Sequence, residues 1–118
     1  MIVTTDNTTG YNLYMNVNGN GTTTSDGLVN TNDSDLIINN LLLPSGTTSL
    51  SKQEFITNTN YNNMYGYSIT NEDNYKPLSN TSSTAGLKQI KTTDSPATTG
   101  DNTTIYIGIK TDLFMVRY

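Results

Sequence analysis

The chain has 118 residues and a formal net charge of −4; 33% of its residues are hydrophobic and 14% are charged. A chain of this length forms one hydrophobic core, so residues 1–118 are predicted to be a single domain. The absence of Cys and His excludes thiol nucleophiles, imidazole bases and thiolate or imidazole metal ligands, and six scattered Lys and Arg argue against a nucleic-acid partner.

The first two predicted strands are residues 2–5 and 11–17. In the second, apolar residues alternate with polar ones, as in a strand with one buried face. The polar turn at residues 6–10 predicts that the two strands form a hairpin. Thr and Asn are abundant along the chain, which favours strands and turns over helices because Thr is β-branched and Asn adopts turn conformations readily.

Residues 36–43 are ambiguous. The positions of Ile37, Ile38, Leu41 and Leu42 fit helical spacing, with Asp33 or Ser34 as the cap and Pro44 as the stop. The same residues also fit a buried strand with a bulge at Asn39 and Asn40, and we favour the strand.

Further strands are predicted at residues 64–69, 87–92, 105–110 and 113–118. Five polar segments are predicted to be loops: 18–26, 58–63, 71–74, 79–86 and 93–102. Six or more short strands predict an all-β fold, an antiparallel immunoglobulin-like β-sandwich, and leave open whether a final strand is missing. The residues predicted to point inward are Leu13, Met15, Val17, Tyr67, Ile69, Ile105, Ile107 and Ile109.

Several local patterns occur in a familiar order. They are the strand, turn and Gly10-Tyr11-x-Leu13 strand of residues 3–13, then Tyr65-Gly66-Tyr67-Ser68-Ile69, Tyr75-Lys76-Pro77-Leu78, residues 90–96 and a closing strand at residues 103–112. In this order they resemble uncharacterised cell-surface β-sandwich domains of Gram-positive and candidate-phyla bacteria. The resemblance covers nearly the whole chain, and it implies an extracellular location on a bacterial cell surface and no known catalysis.

Two departures from that group stand out. Tyr65 occupies a position where Trp is expected, and the group continues beyond the region of Asp112 into one more long strand. The chain is therefore predicted to be part of a larger surface protein. Its apolar segment at residues 113–118 is predicted to expose a sheet edge that either pairs with another molecule or is covered by the strand at residues 2–5.

These observations predict a non-catalytic, secreted surface module that acts as a spacer or an adhesive binding domain. One alternative is a subunit of an extracellular filament assembled through sheet edges. A second, less favoured, is a hydrolase that uses paired carboxylates such as Asp33 and Asp35. The expected partner is a surface glycan or protein, or a second copy paired through an exposed edge strand. No cofactor is expected, and no apolar stretch reaches the roughly 20 residues needed to insert into a membrane.

Three kinds of site are candidates. Tyr14, Tyr61 and Tyr106 could stack on sugar rings, although core packing and cross-strand pairing explain the tyrosines more simply. Residues 30–35 alternate oxygen-bearing side chains as a calcium loop does, but a solvated turn is favoured because the spacing lacks the required Gly and Glu. Surface domains of this kind can carry a Lys–Asn isopeptide bond, for which Lys88, Lys91 and Lys110 are candidates, and a solvated lysine is the favoured interpretation of each.

Overall fold

The structure, a computed structural model, describes residues 1–17, 27–29, 31–33, 35–69, 73–78 and 88–112. Strands make up 44% of it and helix is almost absent, which confirms the all-β class. The elements are β1 (Ile2–Thr5), β2 (Asn12–Met15), β3 (Leu28–Val29), β4 (Ile37–Asn40), α1 (Lys52–Thr57), a 3₁₀ helix (Thr59–Tyr61), β5 (Met64–Ser68), β6 (Lys88–Thr92), β7 (Ala97–Asn102) and β8 (Tyr106–Lys110).

The prediction that β1 and β2 form a hairpin is wrong. β1 pairs antiparallel with β7, and β2 pairs antiparallel with β6. The pairing continues across the two intervening turns, where the Thr93 N–H donates to the Tyr11 carbonyl over 2.9 Å. The turn before β2 redirects the chain at Gly10, whose φ is +78° and whose Cα lies against the Thr93 backbone, so that a side chain there would clash. We call these four strands the ribbon.

The prediction that residues 93–102 form a loop is also wrong, since β7 occupies part of this segment. Most side chains of β7 are exposed or half-buried, so the strand has no apolar face and gives no alternating pattern in the sequence. Its pairing with β1 is what defines it as a strand. The prediction that the segment at residues 113–118 either pairs with another molecule or is covered by β1 concerns residues outside the described part of the chain.

The other four strands form one sheet in the order β3-β4-β5-β8, which we call the central sheet. β4 confirms the strand prediction for residues 36–43. It pairs parallel with β5, through Asn39 opposite Met64 and Asn40 opposite Tyr65, so the sheet is not purely antiparallel. Parallel neighbours require a crossover connection, and α1 with the 3₁₀ helix lies in that connection.

Both faces of β5 are covered. On one face, Tyr65 and Tyr67 pack with Leu78 and Ile90, and part-buried side chains of the ribbon lie against this cluster. We call it the ribbon-side core; its part-buried members are Leu13, Met15, Val17, Ile38 and Ile105, of which all but Ile38 were predicted to point inward. Tyr67 was also predicted to be inward, and it is buried.

The opposite face carries the helix-side core. Its buried members are Leu41, Leu50, Phe55, Tyr61 and Tyr75. The Phe55 and Tyr75 rings lie 5.2 Å apart between centroids. Both rings lie over Gly108 of β8, where an added Cβ would approach the Tyr75 ring to 2.5 Å and the Phe55 ring to 3.0 Å. Gly108 therefore allows the two aromatic rings to rest directly on the sheet.

The helix α1 has no counterpart among the elements predicted from the sequence. Ser51 caps it by accepting a hydrogen bond of 3.1 Å from the Glu54 N–H, and Phe55 is its buried residue. Ser51 and Glu54 have the Ser-x-x-Glu spacing of a capping box, so the sequence does contain a helix-start signal. The helix is six residues long, too short to show an apolar period.

Three residues predicted to be inward are exposed: Ile69 to 38%, Ile107 to 51% and Ile109 to 52%. Ile107 and Ile109 lie opposite Tyr67 and Tyr65 in the β5–β8 pair, and they share the face of the ribbon-side core. They stay exposed because β8 is the end strand of the central sheet among the described residues. The alternation of apolar and polar residues in β8 identified the face on which Ile107 and Ile109 lie. The position of β8 within the sheet decided that these side chains are exposed.

Candidate functional site

The three predicted ligand-facing tyrosines are not brought together. Tyr14 is 40% exposed on β2, and Tyr106 is half-buried at the start of β8. Tyr61 is 5% exposed and belongs to the helix-side core, so it cannot present its ring to a sugar. Its burial follows from the 3₁₀ helix, which turns the ring towards Leu41 and Phe55 instead of leaving it on a loop.

The outer edge of β8 has a defined hydrogen-bonding pattern. The Tyr65 carbonyl accepts from the Leu41 N–H over 2.8 Å, and Tyr67 exchanges backbone hydrogen bonds of 2.9 and 2.8 Å with Lys76. The backbone groups of both tyrosines therefore point away from β8. In an antiparallel pair, two residues that lie opposite one another either both direct their backbone N–H and C=O groups towards the partner strand or both direct them away from it. Ile107 and Ile109 lie opposite Tyr67 and Tyr65, so their N–H and C=O groups face away from β5.

A groove of about 470 Å³ lies between α1 and this edge. Phe55, Tyr75 and Gly108 contribute to its lining, and the exposed Ile56 of α1 forms part of its rim. Its remaining lining residues are Lys52, Ile109, Lys110 and Thr111. The Lys110 ammonium donates to the Asn58 carbonyl over 2.6 Å, which fixes this side chain against the end of α1. We call this edge strand the β8 surface; it has the exposed Ile107 and Ile109 side chains on one face and the groove, with Lys52 and Lys110 in its lining, on the other.

A polar cluster joins the two halves of the ribbon. The Tyr11 hydroxyl donates to Asp101 Oδ2 over 2.7 Å, and Lys91 Nζ lies 2.7 Å from the same oxygen. The hydrogen bond from Lys91 lowers the pKa of Asp101, and the bond to Asp101 raises the pKa values of Lys91 and Tyr11. Each shift takes the group further from neutral pH, so all three keep their ordinary protonation states and the cluster is unsuited to proton transfer.

The candidates for an isopeptide bond have other contacts. Lys91 is ion-paired with Asp101, and Lys110 is bound to the Asn58 carbonyl. The Lys88 side chain lies outside the described part of the structure. An amine must be neutral to attack a carboxyl or amide group, and the raised pKa of Lys91 keeps it charged.

Asp33 and Asp35 belong to a turn. An oxygen of the Asp33 carboxylate accepts from the Asp35 N–H over 3.1 Å, and the Asp33 carbonyl accepts from the Leu36 N–H over 3.1 Å. This is the pattern of an Asx turn. Asn30 and Ser34, which complete the possible calcium loop, are not among the described residues. Within the described ranges, no three acidic residues gather into a possible metal site.

The β8 surface was not among the sites predicted from the sequence. Its α1 side was missed because the helix was missed, although the capping-box spacing of Ser51 and Glu54 could have located it. Its β8 side was assigned to the core.

Of the helices in the described ranges, none is long and apolar enough to cross a membrane. No family model, no curated protein and no solved structure matches the chain.

Proposed function

We propose that the chain is a non-catalytic, extracellular surface module that binds a polypeptide through the β8 surface. The observation that carries the proposal is the outer edge of β8, where exposed isoleucine side chains accompany outward-pointing backbone groups. An unpaired apolar edge is a template for another strand. Binding at such an edge combines backbone hydrogen bonds with burial of alternate side chains.

Two features of the β8 surface support a binding role. Ile56, Ile107 and Ile109 are each more than half exposed. Ile56 lines the groove with Phe55 and Tyr75, whereas Ile107 and Ile109 lie on the opposite face of β8, across from Tyr67 and Tyr65. Exposed apolar groups that adjoin one another along a strand edge mark an interaction site more often than scattered ones do. The hydrolase alternative gains no support from Asp33 and Asp35, because Asp33 is engaged by the backbone of its own turn.

We propose a sandwich of immunoglobulin-like character in the loose sense, in which the ribbon packs on one face of the central sheet. The ribbon-side core supports it, because residues of β2 and β6 meet Tyr65 and Tyr67 there. The parallel β4–β5 pair departs from a purely antiparallel topology. The location on a bacterial surface rests on the resemblance of residues 3–13 and 65–78 described above.

The test of binding uses a phage-displayed library of random heptapeptides. The library is panned against immobilised wild-type protein, against Ile109→Lys and against the control Leu42→Lys. Leu42 is 74% exposed and follows β4, which β5 separates from β8 in the sheet. We expect the wild type and Leu42→Lys to enrich the same peptides with alternating apolar residues, and Ile109→Lys to lose them. Enrichment by Ile109→Lys equal to that of wild type contradicts binding at β8.

A glycan array separates the carbohydrate hypothesis from this proposal. The array is probed with wild type, Tyr14→Ala and Tyr106→Ala. A sugar signal that these substitutions abolish, without peptide enrichment, moves the binding site to the tyrosines and overturns the β8 assignment. Silence in both experiments leaves a spacer without a binding role, and also overturns it.

A further inference from the structure

The β8 edge has a pattern that fits a copy of itself. Residues 107 and 109 point their backbone groups outward, and Gly108 lies midway between them. When two such strands run antiparallel around a two-fold axis at Gly108, Ile107 of one strand stands opposite Ile109 of the other. The backbone N–H and C=O groups of both residues face away from β5, and the two-fold axis generates this pair twice. Each of the two Ile107–Ile109 pairs can therefore exchange two backbone hydrogen bonds. The pairing makes the two central sheets continuous.

The side chains on both faces tolerate this register. On the face of the ribbon-side core, the half-exposed Ile107 and Ile109 side chains of both copies come together and lose contact with water. On the groove face, the two glycines at the axis add no side chain, and the groove leaves space beside β8.

The charges are also compatible. The register places Lys110 of each copy opposite Tyr106 of the other, and Asp112 opposite Thr104. Like charges directly opposite one another would destabilise the pair, and these positions contain none. The Lys110 ammonium is already bound to the Asn58 carbonyl, so the aliphatic part of this side chain is what lies beside Tyr106 of the other copy.

We propose that two copies of this chain pair through β8 into a closed dimer with Ile107 opposite Ile109. The inference rests on the proposed function, because it names the occupant of the same edge as a second copy of the chain. Both copies use the same edge, so the contact is isologous and stops at two. Pairing of this kind does not build a filament. The interface is one strand pair wide, at the small end of protein interfaces, so the dimer is expected to be weak and concentration-dependent.

The first test is sedimentation-equilibrium ultracentrifugation over a wide range of protein concentration. We expect wild type and Leu42→Lys to shift from monomer to dimer as concentration rises, and Ile107→Lys and Ile109→Lys to stay monomeric. Circular dichroism of each variant checks that the strand content is retained. Wild type that is monomeric at every concentration, or that grows beyond a dimer, overturns the proposal.

The second test reads the register by disulfide trapping, which is clean because the chain contains no Cys. In the proposed register, the Cα atoms of residues 107 and 109 of opposite copies lie about 5.5 Å apart, within the roughly 4.4 to 6.8 Å that a disulfide spans. An oxidised mixture of Ile107→Cys and Ile109→Cys should cross-link efficiently, and each variant alone should cross-link poorly. Equal cross-linking of the single variants contradicts the register.

The two proposals fail differently. Peptide enrichment that depends on Ile109, together with a strictly monomeric wild type, keeps the binding function and overturns self-pairing. A dimer that Ile109→Lys dissociates, without peptide enrichment, supports self-pairing and overturns binding of other polypeptides.

Discussion

The ribbon and the central sheet are both built from short strands, but different side chains hold them together. Exposed and half-buried residues predominate in β1, β2 and β7, and a Tyr11–Lys91–Asp101 cluster joins the two halves of the ribbon. In the central sheet, four of the five β5 residues are buried, and aromatic rings cover both faces. Burial of large apolar side chains contributes far more free energy than exposed ion pairs do. The stability of the domain therefore resides mainly in the central sheet.

The largest effect should come from the helix-side core. Phe55→Ala removes a ring that is 4% exposed and leaves a cavity over Gly108, which should lower the free energy of unfolding by about 3 to 5 kcal/mol. Ile56→Ala is the control, because this neighbour on the same helix is 56% exposed and should change stability little. Urea denaturation measures both variants. Equal losses would show that α1 does not anchor the sheet through Phe55.

A smaller loss is expected at Gly108. Gly108→Ala places a methyl group 2.5 Å from the Tyr75 ring, and the resulting shift of the rings should cost about 1 to 3 kcal/mol. The same substitution in a Tyr75→Leu background should cost less, because the ring that it meets has gone. Thermal denaturation of the four proteins of this cycle gives the coupling. Additive losses would mean that the close approach of ring and strand has no energetic role.

Asn40 should have an intermediate effect. Its side-chain amide donates to the Leu78 carbonyl over 2.6 Å, and its side-chain oxygen accepts from the Leu78 N–H over 3.1 Å. Asn40 therefore binds the chain segment at Leu78 to the end of β4. Asn40→Ala leaves both part-buried backbone groups without these bonds and should cost about 1 to 2 kcal/mol. The adjacent Asn39 is exposed, and Asn39→Ala should be close to neutral. Indistinguishable urea midpoints for the two variants would contradict this role.

The smallest effect is expected in the ribbon and should depend on pH. The pKa of Asp101 is lowered in the folded chain, so its contribution is present above about pH 4 and is lost as the pH falls through the folded value. The pKa values of Lys91 and Tyr11 are raised, so their contributions are lost only as the pH rises above about 10.

Asp101→Asn should therefore lower the melting temperature slightly at neutral pH and reduce the further loss on acidification. Asp94→Asn, at an exposed turn position, is the control and should retain the wild-type acid profile. The measurement is the melting temperature from pH 2 to pH 7. An unchanged acid profile in Asp101→Asn would show that the Tyr11–Lys91–Asp101 cluster does not support the ribbon.

Several elements could be predicted from local sequence alone. β2 and β5 follow from the alternation and aromatic content of residues 11–17 and 64–69, because a strand with a buried face has a period of two whatever its partner. The abundance of Thr and Asn and the number of short predicted strands were enough to predict the all-β class. For the candidate site, the same alternation correctly placed Ile107 and Ile109 on the face shared with Tyr65 and Tyr67.

The partners of these strands depended on the tertiary structure. The turn at residues 6–10 is compatible with a hairpin, and the contact of Gly10 with the Thr93 backbone instead directs β2 to β6. β7 has no apolar period, so its pairing with β1 could not be read locally. Ile107 and Ile109 have the pattern of buried residues, but they are exposed because β8 ends the sheet. Local sequence determines which side chains share a face, whereas strand order determines whether that face is covered, and strand order arises from contacts between distant parts of the chain.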